Sequence, residues 1–236
     1  MCTVTYLPHR ENGYFLTSNR DEAPHRAASG LEELLLDKTR VLLPRDKEAG
    51  GTWIGVNEWG ITLCLLNGAF EGHVRQLPYR MSRGLLMLDL LQHPHPLDLF
   101  LSFRLDNIEP FTLIAVSPDA LWELRWNGDS RFARALDRHT AHIWSSSTLY
   151  HADIRKRRAA WFYASAAALM PAEAAHIMAF HKEGGEGDLH HDIVMNRNEV
   201  VRTVSITQVC REPGASAVLF YDILTGREEK KALYDQ

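Results

Sequence analysis

The chain has 236 residues, which is long enough to bury a hydrophobic core. Its composition, 45% hydrophobic and 24% charged, is ordinary for a globular protein. Its net charge of −4 gives no electrostatic reason to bind nucleic acid or an anionic membrane. No apolar run approaches the ~20 residues that span a bilayer, and the start lacks a signal-peptide pattern. Since its three cysteines cannot all pair within one chain, we expect a reducing, cytoplasmic location. The length predicts a single domain over residues 1–236, and the lack of a long apolar run predicts no stable membrane insertion.

Hydrophobic periodicity and turn residues predict the elements in chain order. The first part contains strands at residues 3–8, 14–19, 40–44, 52–57 and 61–66, and a short helix at 31–36. Helices at about 80–92 and 97–104 are followed by strands at 111–117, 121–126, 131–136 and 141–146. Two helices at about 150–169 and 171–182 and a loop at 183–199 then precede strands at 200–210, 216–223 and 227–233.

This order alternates groups of strands with groups of helices. Two sheets packed between helical layers, an α+β sandwich of mainly antiparallel sheets, would produce it. A doubly wound parallel sheet would instead alternate single strands with single helices.

The residue after the initiator methionine is Cys2. Aminopeptidases remove methionine before a small side chain, so a mature protein beginning with Cys2 is predicted. Its thiol and α-amine, which titrate near ~8.5 and ~7.7–8.0, would supply a nucleophile and a base on one residue. The alternative is an ordinary residue in a frayed terminus.

The segment Ser18–Glu22 lies at the end of the strand that pairs with the first one. An antiparallel hairpin of this length returns the chain to its starting edge, which predicts Arg20 and Asp21 near Cys2. The arginine could then hold a thiolate, and the aspartate could orient the amine. The alternative for this pair is a surface salt bridge of little energetic value.

Met1-Cys2, the segment Ser18–Glu22 and the segment Glu48–Asn57 together resemble the NRDE family, which includes the transport and Golgi organisation protein 2 proteins. The resemblance covers most of the chain and is strongest over residues 1–70. More distantly, the chain is similar to choloylglycine and penicillin V acylases. These are N-terminal nucleophile hydrolases with a four-layer αββα fold, so the resemblance implies amide hydrolysis through a thioester.

The acylase resemblance implies further site residues. Asn67 would help to form an oxyanion hole, or would be a turn asparagine that accepts a left-handed backbone. Arg202 would lie close to the nucleophile, or would be a strand charge that faces water. Ser146 stands where relatives often carry asparagine. This departure weakens the case for hydrolysis or implies a different oxyanion contact; a helix-leading serine turn is the alternative.

Three more residues are expected at a substrate pocket. Asn19 belongs to the Ser18–Glu22 segment, and Trp53 would be either core or the wall of an apolar pocket. His191 would lie at the pocket mouth. The chain's 12 histidines are scattered at spacings unsuited to shared metal ligation, and no haem motif is present, so we expect neither metal nor cofactor.

Two functions remain in competition. The first is a hydrolase of linear amides that uses Cys2, Arg20, Asp21 and Asn67. The second is a non-enzymatic binding or trafficking protein, of the transport and Golgi organisation 2 type, that handles a lipid-like ligand or haem. In both cases the partner is a small molecule.

Overall fold

The computed structural model describes residues 3–9, 13–168 and 173–236. In chain order its strands are β1 (Thr3–Pro8), β2 (Tyr14–Glu22), β3 (Leu31–Leu36), β4 (Thr39–Pro44), β5 (Ile54–Asn57), β6 (Thr62–Asn67), β7 (Phe111–Val116), β8 (Leu121–Trp126), β9 (Arg131–Leu136), β10 (His142–Ser145), β11 (Asn196–Arg197), β12 (Val201–Glu212), β13 (Ala215–Asp222) and β14 (Glu228–Tyr234). Its helices are α1 (Arg83–Leu91), α2 (Pro96–Ser102), α3 (Ala152–Ala168) and α4 (Ala174–Glu183).

The strands form two antiparallel sheets. One has the order β10-β1-β2-β12-β13-β14, with β11 beside β12, and the other runs from β3 to β9 in sequence order. Helices α3 and α4 pack on the first sheet, whereas α1 and α2 pack on the second. The resulting order of layers confirms the predicted four-layer αββα sandwich.

The space between the two sheets holds the main core. Tyr6 and Leu16 of the first sheet belong to one buried cluster with Val56 and Cys64 of the second. A smaller cluster fills the space between the first sheet and its helices; it includes Leu7, Phe15, Phe162 and Ile177. Side chains on alternate positions of one strand therefore enter different layers, as the two-residue period of a strand requires.

The predicted hairpin of the first two strands is present. β1 and β2 pair antiparallel, with Thr3 opposite Asn19. On its other edge β2 pairs with β12, where Thr203 lies opposite Asp21. The segment Ser18–Glu22 is thus the last part of a central strand, at the end of the sandwich where β6 also terminates near Asn67.

The predicted short helix at residues 31–36 is wrong, because Leu31–Leu36 is strand β3. Asp37 and Lys38, both at positive φ, form a two-residue turn to β4. This turn geometry usually selects glycine or asparagine, so its sequence signal was weak. Leucines three and four residues apart favoured a helix, but pairing with β4 decided the conformation.

Most other boundaries differ by only a few residues, and the predicted helix at 171–182 corresponds to α4, starting at Ala174. Within the described ranges, no helix combines the length and apolar character that crossing a bilayer requires.

Candidate functional site

The end of β2 sends neighbouring side chains to opposite sides of its sheet. Arg20 lies on the same face as Tyr14 and Leu16, which enter the core between the sheets. Asn19 and Asp21 share the opposite face with Phe15, which packs against the helices. All three are at most 3% exposed. The motif therefore contributes to two different environments.

Arg20 is held by an aspartate and an indole ring. Its Nη2 donates to Asp46 Oδ2 at 2.6 Å, and its guanidinium carbon lies 4.1 Å from the centroid of the Trp53 ring. Burial lowers the pKa of Arg20, and the charges of Asp46 and Glu22 oppose that shift. The predicted residues Arg20 and Trp53 thus form one cation–π unit whose charge is balanced mainly by Asp46.

Asp46 organises the loop that precedes Trp53. Its Oδ1 accepts from the backbone N–H groups of Glu48 and Ala49, at 3.1 and 3.0 Å. Burial alone would raise the pKa of Asp46, but the Ala49 N–H and the charges of Arg20 and Arg26 lower it. One carboxylate therefore fixes a turn with one oxygen and binds two arginines with the other.

Two glycines let α1 approach this loop. A Cβ on Gly51 would lie 2.3 Å from the carbonyl carbon of Gly84, so only glycine fits there without a backbone shift. Thr52 N–H donates to Gly84 O at 3.1 Å. The close approach explains Gly51 of the Glu48–Asn57 segment, whereas its neighbour Gly50 has a φ of 72°, which favours glycine. The contact also places the start of α1 in the wall of the site.

A cavity of about 530 Å³ opens beside Arg20. Arg20, Trp53 and Asn67 all line it, so three predicted site residues meet there. The described residues that line this Arg20 cavity include four arginines and three carboxylates: Arg20, Arg26, Arg75 and Arg83 with Glu22, Asp46 and Glu109. The charge of its wall is +4 − 3 = +1, together with apolar surface from Leu65, Leu77 and Met81.

Two donors in this wall have no acceptor among the described residues. They are Arg20 Nη1 and Trp53 Nε1, and both side chains are 3% exposed. The Asn67 side-chain amide likewise makes no hydrogen bond to a described residue, whereas its carbonyl accepts from Ser146 Oγ at 2.8 Å. These N–H groups can donate hydrogen bonds to the oxygen atoms of a ligand whose remaining surface is apolar.

The wall of the Arg20 cavity contains a second arginine–carboxylate pair. Arg83 Nη2 lies 3.1 Å from Glu109 Oε2, and its Nη1 donates to Pro110 O at 2.9 Å. Burial lowers the pKa of Arg83, and Glu109 opposes this shift. This pair holds the N-terminal end of α1 against the strand β7 region.

Asn19 lies on the helix side and is fully hydrogen-bonded. Its Nδ2 donates to the carbonyls of His181 and Ile193, both at 3.0 Å, and its Oδ1 contacts His181 Nδ1. Burial lowers the pKa of His181 to about 3, so the ring is neutral. With Nδ1 protonated toward Asn19, Nε2 accepts from Thr5 Oγ1 at 2.7 Å. Asn19 does not line the Arg20 cavity, and its contacts are internal.

Asp21 joins a different buried network. Its carboxylate accepts from Tyr150 OH at 2.8 Å and from Thr203 Oγ1 at 2.6 Å. Arg158, with no exposed surface, donates to Tyr150 OH at 2.8 Å and also to Thr3 Oγ1. The predicted aspartate is therefore connected, through the Tyr150 hydroxyl and the Arg158 guanidinium, to Thr3, the first residue of β1.

The other predicted residues lie apart from the Arg20 cavity. Ser146 is buried, and its hydroxyl also contacts Thr148 Oγ1 at 3.0 Å. Arg202 pairs with Glu199 at 2.7 Å, and His191 Nδ1 lies 2.7 Å from Asp188. Cys2, the predicted nucleophile, lies outside the described residues.

Sequence reasoning missed several residues of these networks: Asp46, Arg83, Glu109, Tyr150 and Arg158. Two carried a readable signal. Asp46 precedes the Gly50-Gly51 pair at the spacing of a side-chain-capped turn. Arg158 follows Ile154 by four residues and precedes Phe162 by four, so a charge occupies a buried helical face.

Among the described residues, no group of three or more His, Cys, Asp or Glu side chains is placed to hold a metal ion. The chemistry that the described site offers is hydrogen-bond donation and cationic stabilisation.

The fold resembles solved structures of hydrolases. An arginine-to-leucine variant of conjugated bile acid hydrolase from Clostridium perfringens aligns with a TM-score of 0.59 and 10% identity, covering 98% of this chain and 92% of that one. A cysteine-to-alanine variant of that hydrolase gives 0.52 and 11%, covering 100% and 97%. The Caenorhabditis elegans ortholog of N-acylethanolamine-hydrolyzing acid amidase gives 0.52 and 10%, covering 88% and 92%. At these identities the similarity shows a common fold.

Comparison with curated proteins gave no significant sequence match. A family model described as Transport and Golgi organisation 2 matches residues 1–163, which is more than half of the chain. The chain therefore belongs to the Transport and Golgi organisation 2 family.

Proposed function

We propose that this chain is a hydrolase of linear amides, with Cys2 as nucleophile and the Arg20 cavity as its substrate site. The observation that carries the proposal is the cavity itself, where Arg20, Trp53 and Asn67 converge at one end of the sandwich. The fold is shared with hydrolases of conjugated bile acids and of N-acylethanolamines, which supports an amide as the substrate class.

The lining of the Arg20 cavity matches an amide with an apolar acyl group. The buried donors Arg20 Nη1 and Trp53 Nε1 suit a substrate oxygen, since an unpaired buried donor is costly. The surfaces of Leu65 and Met81 suit a hydrocarbon portion.

The proposed reaction proceeds in two steps. The Cys2 α-amine accepts the thiol proton, and the sulfur attacks the amide carbonyl carbon. The C–N bond then breaks, the leaving amine takes the proton, and a thioester remains on Cys2. Water, deprotonated by the same amine, attacks the thioester, releases the carboxylic acid and restores the thiol.

Arg20 and Asn67 have separate roles in this proposal. The Arg20 charge favours the thiolate, and the Asn67 amide donates to the oxyanion of the tetrahedral intermediate, a contact worth up to about 3 kcal/mol. Ser146 does not take the second oxyanion position, because its hydroxyl donates to Asn67 O. Asp21 acts through Tyr150 and Arg158 to position the start of β1.

The test is intact mass followed by labelling with a thiol-reactive acyl probe near neutral pH. We expect loss of Met1 and an adduct on Cys2 alone, because burial raises the pKa of Cys64 to about 12 and also raises that of Cys210. Cys2→Ala should abolish labelling and any hydrolysis of N-acyl amides while the fold is kept.

Cys210→Ala is the matched control and should label as the parent does. Retained Met1, together with Cys2 labelling no faster than Cys210, would remove catalysis from the proposal.

That outcome would leave the binding alternative, which the hydrogen-bonded Ser146 favours because it withdraws one oxyanion donor. A protein of this kind would retain a lipid-like ligand in the Arg20 cavity without turnover. Either function is proposed for the cytoplasm, where Cys64 and Cys210 would stay reduced.

A further inference from the structure

A second cavity, of about 220 Å³, lies at the side of the sandwich, between the edge strand β10, strand β8 and helix α3. We call it the Arg155 cavity. Among the described residues, it shares no lining residue with the Arg20 cavity. The two cavities are adjacent through the hydrogen bond from Ser146 Oγ to Asn67 O.

The wall of the Arg155 cavity is strongly cationic. Arg125, Arg134 and Arg155 line it, and Glu123 is its one carboxylate among the described lining residues. Glu123 is bound by Arg125 Nη2 at 3.0 Å and by Trp144 Nε1 at 2.7 Å, so it neutralises Arg125 first. Glu123 Oε1 also lies 3.8 Å from Nε of the exposed Arg134, so this one carboxylate serves two arginines. The net charge of the described wall is +3 − 1 = +2.

Several donors of this wall have no acceptor in the described part of the chain. The Nε atoms of Arg125 and Arg155 are buried and make no hydrogen bond there. Ser145 and Tyr163 add hydroxyl groups with no hydrogen bond to a described residue. The guanidinium of Arg155 makes no ion pair with a described carboxylate.

We propose that the Arg155 cavity binds a phosphate dianion, either as inorganic phosphate or as the phosphate group of a monoester. A dianion balances the charge of +2, whereas a monocarboxylate balances half of it. A phosphate also presents three or more acceptor oxygens to donors that approach from a strand, an edge strand and a helix. The inference does not depend on amide hydrolysis, since the site lies outside the Arg20 cavity.

Titration calorimetry at low ionic strength tests the site, with inorganic phosphate, glycerol phosphate and acetate as separate ligands. We expect one phosphate per chain, and weaker or no binding of acetate. Glycerol phosphate binding more tightly than inorganic phosphate would identify a monoester, and the reverse would identify the free ion.

Arg155→Gln should weaken phosphate binding at least about tenfold, the effect of removing one charged hydrogen bond. Arg134→Gln should weaken phosphate binding severalfold. The Arg134 side chain is 68% exposed, so this substitution should not impair folding. Lys156→Gln is the matched control: it removes the same charge from the same helix, at a residue outside the cavity, and should bind as the parent does.

Absence of phosphate binding at millimolar concentration would overturn the proposal. So would equal binding by the parent, Arg155→Gln and Arg134→Gln. If Arg75→Gln, in the Arg20 cavity, weakens binding instead, the anion belongs to that cavity and the Arg155 site is refuted.

Discussion

Arg20 and Asn19 are neighbours on one strand, yet their side chains lie in regions of opposite character. On the inter-sheet side, Arg20 is stabilised by charge, through Asp46 and the Trp53 ring, next to a cavity of about 530 Å³. On the helix side, Asn19 contacts a neutral His181 and two backbone carbonyls. The first region keeps donors available to a ligand, and the second satisfies its polar groups internally.

The difference shows how one short motif can serve two purposes. Because side chains alternate across a strand, Ser18–Glu22 can attach the helical layer through Asn19 and Asp21 while Arg20 faces the cavity. Substitutions on the helix side should therefore affect stability, and those on the inter-sheet side should affect both stability and ligand chemistry.

Asp46→Ala should have the largest effect on stability. It leaves the buried Arg20 charge without its main partner and removes the acceptor of the 46–49 turn, so we expect a loss of about 3–5 kcal/mol in the free energy of unfolding. Urea denaturation at pH 7 measures this.

The exposed Asp119→Ala is the control for this change and should lie within about 0.5 kcal/mol of the parent. A loss below about 1 kcal/mol for Asp46→Ala would mean that Arg20 is compensated by another group, and the charge-based description of this side would be wrong.

Asn19→Ala should be the next most destabilising. It leaves the carbonyls of His181 and Ile193 and one imidazole N–H unsatisfied in the core, which we expect to cost about 2–3 kcal/mol in unfolding free energy. The rate of acyl-probe labelling per folded molecule should stay at the parent level.

Asn196→Ala removes a partly exposed asparagine hydrogen bond and serves as the control, with an expected loss under about 1 kcal/mol. If Asn19→Ala slows labelling without loss of stability, Asn19 contacts substrate, as the sequence predicts, and the separation of the two faces fails.

The pH dependence of stability sharpens the comparison with a smaller effect. Since the folded-state pKa of His181, about 3, is below its unfolded value of ~6.5, its contribution is complete above pH ~6.5 and is lost as pH falls toward 3. The limiting slope is ~1.4 kcal/mol per pH unit, or about 2 kcal/mol between pH 6.5 and 5. The pKa of Asp46 is lowered in the folded state, so the stability that this carboxylate contributes should be lost only below pH ~3.8.

Urea midpoints at pH 7 and pH 5 measure this dependence. His181→Gln should flatten it, and the exposed His139→Gln should not. An unchanged slope in His181→Gln would show that other groups govern the acid response between pH 7 and 5.

Much of the fold was predictable from local patterns. The Asn127-Gly128 pair predicted a hairpin turn, and it lies between β8 and β9, because an Asn-Gly sequence suits the positive φ of a tight turn. β3 was missed because its leucine spacing suits a helix and its turn residues lack glycine. Only pairing with β4 determined its conformation.

The site was predictable in part. Arg20, Trp53 and Asn67 were named from the sequence, and all three line the cavity. Asp46 and Arg83 were missed because their contacts join residues 26 positions apart in both cases, to Arg20 and to Glu109. Spacing along the chain carries no information about such pairs.

The sequence by itself determined the order of elements, the layered α+β architecture and the family, because these depend on periodicity, turn residues and short motifs. The tertiary structure alone decided that Arg20 faces the cavity while Asn19 and Asp21 face the helices, and that Ser146 bonds to Asn67. Because side chains alternate along a strand, adjacent residues must point to opposite faces of the sheet. Which of the two faces lies between the sheets depends on how the two sheets and the two helical layers pack.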